Sequence, residues 1–215
     1  MHSVLSCVEF VHPPRVEFWF IRHAESEENV GPDVIGGCNP NVRLTDKGER
    51  QAMLLRDRLR GVTFDRVYSS NALRTQETCR IALGRSPDEI CMEVSEMDFG
   101  DFIGLPRTLY DDDPYVREAA GWNFVPGFVR KGESQQQIAR RMTRWVRGIV
   151  NEAEGNVRVA VFSHGSAIGF MLTEILDENR SQAYRTKINN TSVSAFEVMG
   201  DRVRLISKND TDHLV

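Results

Sequence analysis

The chain has 215 residues, a formal net charge of -4, 40% apolar and 27% charged residues, a balance that suits one globular domain with a full core. An acidic balance gives no support for wholesale nucleic-acid binding, which draws on a basic surplus, and no apolar run is long enough to span a bilayer. Cys7, Cys38, Cys79 and Cys91 are scattered without Cys-x-x-Cys spacing. That argues against a zinc site or a disulfide scaffold and for a reducing, cytoplasmic setting.

In chain order, residues 1–14 read as a leader closed by Pro13-Pro14, without the basic start and continuous apolar core of a signal peptide. Val16 to Ile21 alternates like a strand and delivers Arg22 and His23 at its carboxyl end. A polar, glycine-rich loop follows over residues 24–43. Thr45 caps a helix whose Ala52, Leu55 and Leu59 share one face. Phe64 to Ser69 is a short buried strand, with a helix starting near Ser70-Asn71, either of which can cap it. Ile90 to Val94 reads as a third strand. The stretch 98–132 breaks into glycines, prolines, aromatics and Asp111-Asp112-Asp113, with one helix near 107–119; it reads as a lid-like insertion. Glu133 to Glu154 forms a long amphipathic helix with Ile138, Met142, Trp145, Ile149 and Val150 on its apolar face. Val157 to Phe162 is again a strand and ends in Ser163-His164-Gly165-Ser166, followed by a helix through Ile168, Leu172 and Ile175. A hairpin then pairs Ser192–Met199 with Val203–Ser207 across Gly200-Asp201. Strands alternating with helices predict an α/β fold: a doubly wound, mostly parallel sheet with helices on both faces and an antiparallel edge, one domain over 15–215.

An isolated Arg-His pair reads as a loop histidine beside an exposed arginine. Here four segments end strands with groups suited to phosphate: Arg22 and His23 after the first, Arg74 one turn into the helix after the second, Glu96 after the third, and His164 after the fourth. In a doubly wound sheet those ends converge on one crevice. Arginines and a helix N-terminus favour an anion there, and an imidazole beside a guanidinium reads as a nucleophile toward a phosphoryl group. From the residues alone, Glu96 and Asp98 are equivalent as the acid. No His/Asp/Glu spacing resembles a metal cage, and no cofactor is expected.

The ordered set of motifs carries a resemblance over nearly the whole chain after the leader. Arg22-His23-Ala24-Glu25-Ser26-x-x-Asn29 resembles the signature of the histidine phosphatase superfamily, which includes the cofactor-dependent phosphoglycerate mutases. Leu44-Thr45-Asp46-Lys47-Gly48 and Ser69-Ser70-x-x-x-Arg74-x-x-x-Thr78 are similar to its next two segments. Glu96-x-Asp98-x-Gly100-Asp101-Phe102-x-Gly104 is similar to its acidic loop, Gly132-Glu133-Ser134 to its helix start and Ser163-His164-Gly165 to its second-histidine turn. Asn190-Thr191-Ser192-Val193-Ser194 and the terminal Asn209-Asp210-Thr211-x-His213-Leu214 also look familial. Ala24 departs from the family's glycine and Ile103 from an acidic residue before Gly104; neither removes a reacting group.

The resemblance implies His23 as the nucleophile that becomes phosphohistidine, Arg22, Arg74 and His164 as phosphoryl ligands, and Glu96 as proton donor. Asn29, Ser26, Arg43 and Gly165 are expected as further phosphate or substrate contacts. The implied activity is metal-independent phosphomonoester hydrolysis. A phosphoglycerate mutase is the alternative, and a catalytically silent phospho-ligand binder a third reading. The short stretch between Glu96 and the long helix, and the segment Asn190 to Ser194, look like the phosphatase branch. The expected partner is a small phosphorylated metabolite or a phosphoprotein, with no nucleic acid or membrane. Substrate choice is expected in residues 98–132, where Phe102, Tyr110, Tyr115, Trp122, Phe124 and Phe128 supply aromatics and Arg107, Arg117, Arg130 and Lys131 supply cations.

Overall fold

The computed structural model describes residues 13–111, 131–178 and 187–215. The leader up to His12, the part of the predicted helix beyond Asp111, and Tyr115, Arg117, Trp122, Phe124, Phe128 and Arg130 lie outside the described residues, as does the side chain of Tyr110.

Strand β1 (Arg15–Arg22) forms as read, with Val16, Phe18 and Phe20 buried on one face. It lies between β4 (Val157–Ser163), parallel to it, and β5 (Val193–Met199), antiparallel to it. Outside β4 come β2 (Arg66–Ser69) and the two-residue β3 (Glu89–Ile90), both parallel; outside β5 comes β6 (Arg202–Asp210), antiparallel. The order is β3-β2-β4-β1-β5-β6, so the parallel half and its antiparallel edge are both as the alternation predicts.

Helices cover both faces, and the strand alternation decides which. Phe18 and Phe20 stack on Phe196 of β5 at 5.4 and 5.8 Å and meet the edge of Trp145. Trp145 lies on α5 (Gln135–Asn151), which packs there with α6 (Gly165–Ile175) through Met142, Val146, Ile168 and Met171. The opposite residues, Ile21, Val67, Ala160 and Phe162, pack on Leu55 and Leu59 with α2 (Asp46–Arg58) and on Cys79 and Ala82 of α3 (Leu73–Leu83). Helix α5 starts two residues later than the periodicity suggests, because Ser134 accepts from the Gln137 N–H and the Gln137 side chain accepts from the Ser134 N–H.

Three readings need correction. The third strand stops at Ile90: Met92–Val94 is a 3₁₀ turn that turns Val94 into the core, where its carbonyl accepts from Ser163 Oγ at 2.7 Å. Neither Ser70 nor Asn71 is the N-cap of α3; that residue is Ala72, because both side chains are engaged elsewhere, Ser70 with His164 and Asn71 with Ser95. The loop 24–43 contains a short helix, α1 (Glu27–Val30), and a further one, α4 (Arg107–Asp111), begins the predicted helix of the insertion.

The parallel strands β1, β2 and β4 end side by side at Arg22, Ser69 and Ser163. Beside that edge, α2 approaches so closely that a Cβ on Gly48 would stand 2.0 Å from the Glu25 carbonyl oxygen. Gly48→Ala should therefore lower stability by about 1–3 kcal/mol through overpacking. Gly148→Ala, inside α5 with open space around it, should instead be neutral or stabilise by up to about 1 kcal/mol. Urea unfolding of both variants measures this; equal effects would refute the close approach at Gly48.

Candidate active site

His23 leaves β1 with its backbone fixed on three sides. Its N–H donates to Ser163 O at 3.0 Å, its carbonyl accepts from Asn190 Nδ2 at 3.0 Å, and the preceding carbonyl of Arg22 accepts from the Thr191 N–H at 3.1 Å. Thr191 holds this position with a positive φ of 55°, and its hydroxyl contacts His213 Nε2 at 3.0 Å. The terminal segment thus braces the turn behind β1. The His23 ring is 3% exposed, and its Nδ1 lies 2.7 Å from Ala24 O. A carbonyl only accepts, so Nδ1 carries the hydrogen and Nε2 of the neutral ring keeps its lone pair. Burial, with Arg22 and Arg74 adding to it, holds this imidazole well below its ordinary pKa.

His164 follows β4, its ring centre 5.2 Å from that of His23. Its Nδ1 is 3.2 Å from Arg74 Nη2 and its Nε2 2.7 Å from Ser70 Oγ. A guanidinium only donates, so Nδ1 accepts and the Nε2–H donates to Ser70, which in turn meets Thr75 Oγ1 at 2.9 Å. Burial also pushes this imidazole well below its ordinary range, followed by His23 and Arg74.

Arg74 is 2% exposed and donates to Asn39 O at 2.7 Å and Gly37 O at 3.1 Å. Arg22 donates through Nη1 to Ile188 O at 2.6 Å. The Nε atoms of both arginines are buried without a hydrogen-bond partner. Two desolvated cations held mainly by neutral carbonyls, each with an unused donor, call for anionic oxygens. Gly165 leaves that space open, since a Cβ there would stand 3.3 Å from Arg22 Nε.

Glu96 lies across the N-terminus of α6, accepting from Ala167 N at 3.0 Å, Ser166 N at 3.3 Å and its neighbour Met97 N at 2.9 Å. Asp98 instead accepts from Gly100 N within its own loop, at 2.9 Å. Only Glu96 of the two lines the cleft, so the geometry separates what the residue types left equivalent. Arg141 secures the acidic loop from below. It forms a bidentate pair with Glu133, both bonds 2.8 Å, and donates to the carbonyls of Met92, Glu93 and Ser95.

Arg22, His23, Arg74, Glu96, Asn29 and Gly165 meet around one cleft of about 430 Å³, with His164 directly behind His23 and Arg74. Ser26 is not on the cleft: it is fully buried, and its N–H and hydroxyl turn to Asn29 Oδ1. Arg43 is also off the cleft, 66% exposed and paired with Glu77 at 2.7 Å. From the insertion, Arg107 reaches the cleft, Phe102 packs into the core, and Lys131 faces Asp101 at 3.8 Å. Glu28, Phe170 and Lys187 also line it. Glu28 had a signal, its position beside Asn29 in the first motif; the other two carry none. Among the described residues no group of three or more His, Cys, Asp or Glu is arranged to hold a metal ion.

Both buried imidazoles resist protons that the unfolded chain accepts. Below about pH 6.5 the unfolded state therefore binds more protons, and stability falls with pH by up to about 1.4 kcal/mol per pH unit for each imidazole. Urea titrations at pH 7 and pH 5 should show this fall, and His164→Gln should make it shallower. An unchanged pH dependence in that variant would mean that His164 takes up its proton over the same pH range in the folded and the unfolded chain.

Comparison with known proteins agrees with this architecture. The family model for the histidine phosphatase superfamily (branch 1) matches residues 18–211. The adenosylcobalamin/alpha-ribazole phosphatase of Salmonella typhimurium is 30% identical over 189 residues, covering 85% of this chain and 91% of that protein. A broad-specificity phosphatase of Saccharomyces cerevisiae is 30% identical over 210 residues, covering 93% and 87%. In fold, the chain is similar to a phosphoserine phosphatase of Entamoeba histolytica crystallised with phosphoserine, with a TM-score of 0.82, 24% identity, and coverage of 93% of this chain and 100% of that one. With nearly its whole described length matched and its strand-end residues gathered in one cleft, the chain belongs to the histidine phosphatase superfamily, branch 1.

Proposed function

We propose that the protein is a metal-independent phosphomonoester hydrolase that works through a phosphohistidine on His23. The observation that carries this reading is the pair of buried guanidinium Nε donors without partners, beside an imidazole whose Nδ1 is committed to Ala24 and whose Nε2 is free. The kinship with two phosphatases about 30% identical over most of the chain supports hydrolysis as the reaction.

In this mechanism, His23 Nε2 attacks phosphorus in line. The P–N bond forms as the P–O ester bond breaks, and the electron pair leaves on the alcohol oxygen. A neutral imidazole is required for attack, and burial beside two guanidiniums keeps it neutral. Charge on the equatorial oxygens is met by Arg22 and Arg74, already desolvated and oriented. Glu96 in its protonated form gives its proton to the departing oxygen, because an alkoxide is a poor leaving group. As a carboxylate it then takes a proton from the water that attacks the phosphohistidine. That step breaks the P–N bond, releases inorganic phosphate and restores both residues. In the resting arrangement His164 accepts from Arg74, so its first task is to position that guanidinium. A direct bond from Nδ1 to the phosphoryl group requires a proton there. The substrate class is a small phosphorylated metabolite or a phosphoprotein.

Release of phosphate from p-nitrophenyl phosphate with excess chelator, wild type against His23→Ala, tests the reading. Activity should survive chelation and vanish in the variant. Retained turnover in His23→Ala would sink the mechanism. Transfer to a phosphoglycerate hydroxyl in preference to water would make the protein a mutase. Arg74→Ala should lower kcat by about 10²–10³; a change confined to KM would assign Arg74 to ground-state binding instead. Glu96→Gln should slow alkyl phosphates far more than aryl phosphates under single-turnover conditions, which isolate the first step. Equal losses on both would reject Glu96 as the leaving-group acid.

A further inference from the structure

Glu28 is a carboxylate on the wall of a cleft built for anions. It stands one residue before Asn29, and its side chain is 21% exposed. Its Oε2 lies 3.9 Å from Arg74 Nη2, too far for a hydrogen bond. Among the described residues no donor reaches either oxygen, and Arg74 is the only one of them near enough to count as an ion pair. The backbone is shaped around it. A Cβ on Gly36 would stand 2.0 Å from its Cδ and 2.1 Å from Oε1, so this carboxylate is seated directly on a glycine.

Such a group is under-served. A carboxylate taken partly out of water without a donor is destabilised, and burial, with the charge of Glu96, pushes its carboxyl pKa up against the pull of Arg74. Phosphoryl binding makes the deficit worse, because the dianion draws on the guanidinium that Glu28 relies on. A ligand corrects this only if it brings a donor of its own on the carbon skeleton next to the phosphoryl group. The other cations on the cleft do not fill the role. Arg107 donates to Asp33 at 3.1 Å, and Lys187 makes no ion pair with Glu28 within 4.0 Å.

We propose that Glu28 forms a donor-reading subsite, selecting phosphomonoesters that carry a hydroxyl or an ammonium group close to the ester oxygen, with the ammonium favoured. The inference builds on the hydrolase reading, since it places the phosphoryl group between Arg22 and Arg74. It adds the chemical class of what lies on the alcohol side.

Calorimetric binding separates this from the reaction itself when every protein compared carries His23→Ala, so that no probe is turned over. The probes are inorganic phosphate, ethyl phosphate, 2-hydroxyethyl phosphate and phosphoethanolamine, similar in reach and differing in the donor. With Glu28 in place, the protein should bind phosphoethanolamine about ten- to a hundredfold more tightly than ethyl phosphate, the range of a hydrogen bond to a charged group, with 2-hydroxyethyl phosphate between them. Glu28→Gln should bring phosphoethanolamine down to the level of ethyl phosphate, while inorganic phosphate binds as well as before or better. Loss of one ligand with phosphate binding kept or improved at the same site is not produced by a damaged fold. Equal affinities for ethyl phosphate and phosphoethanolamine with Glu28 in place would overturn the proposal, as would a uniform weakening of all four ligands in the Glu28→Gln variant. Failure of the hydrolase reading would appear separately, as phosphate binding without turnover of p-nitrophenyl phosphate when His23 is intact.

Discussion

Two guanidiniums have been taken out of water at the carboxyl end of one sheet, and the surrounding chain is organised by that fact. Arg22 and Arg74 donate to the carbonyls of Ile188, Gly37 and Asn39 instead of closing strong pairs with carboxylates. A bidentate carboxylate on each would cancel its charge and use the donors a ligand needs. Neutral carbonyls hold the cations in place and leave their charge unspent. Burial, with that positive charge adding to it, then keeps two imidazoles neutral a ring's width apart. The two cations and the two imidazoles are thus tied together by a single electrostatic condition, charge held in place by neutral carbonyls.

The loops around the site meet that condition locally. Gly37 adopts a positive φ of 63° in the turn that presents its carbonyl to Arg74, where a Cβ would also press on Phe99 and Ile103. On the other side, Thr191 adopts the same left-handed region without being glycine. It is held there by its N–H on the Arg22 carbonyl and by His213 at its hydroxyl. A C-terminal histidine away from the cleft therefore supports the geometry of the Arg22-His23 pair that lines it.

What could be read from the residues was whatever a short period or a fixed spacing encodes. The alternation in β1 and β4 placed Arg22 and His164 at the same edge, and the Thr45 cap located α2. The third strand misled because Ile90, Met92 and Val94 are β-like in composition, yet only Val94 is buried and no further partner strand extends the pairing. Ser70 shows a different limit. Serine before a helix is a capping signal, but a histidine from a strand about ninety residues away takes its hydroxyl. Glu96 and Asp98 were equivalent by type, and only the backbone N–H groups of α6 distinguish them. Glu28 had only its place beside Asn29 as a signal: its setting comes from Gly36 across the following loop and from Arg74, remote in sequence.

The base of the insertion has one more consequence. The Glu133 N–H donates to Asp98 O at 2.7 Å, the Asp98 N–H donates to Glu133 Oε2 at 3.2 Å, and Gly132 packs so tightly that a Cβ would stand 2.4 Å from that same Asp98 oxygen. Entry and exit of the intervening chain are clasped together, and Arg141 ties the clasp to the 3₁₀ turn below the acid. Because the ends are already joined, each doubling of the enclosed length costs only about 0.6 kcal/mol in closure entropy. The fold therefore carries a socket into which segments of different length and composition can be spliced without moving the sheet or the cleft residues at its edge.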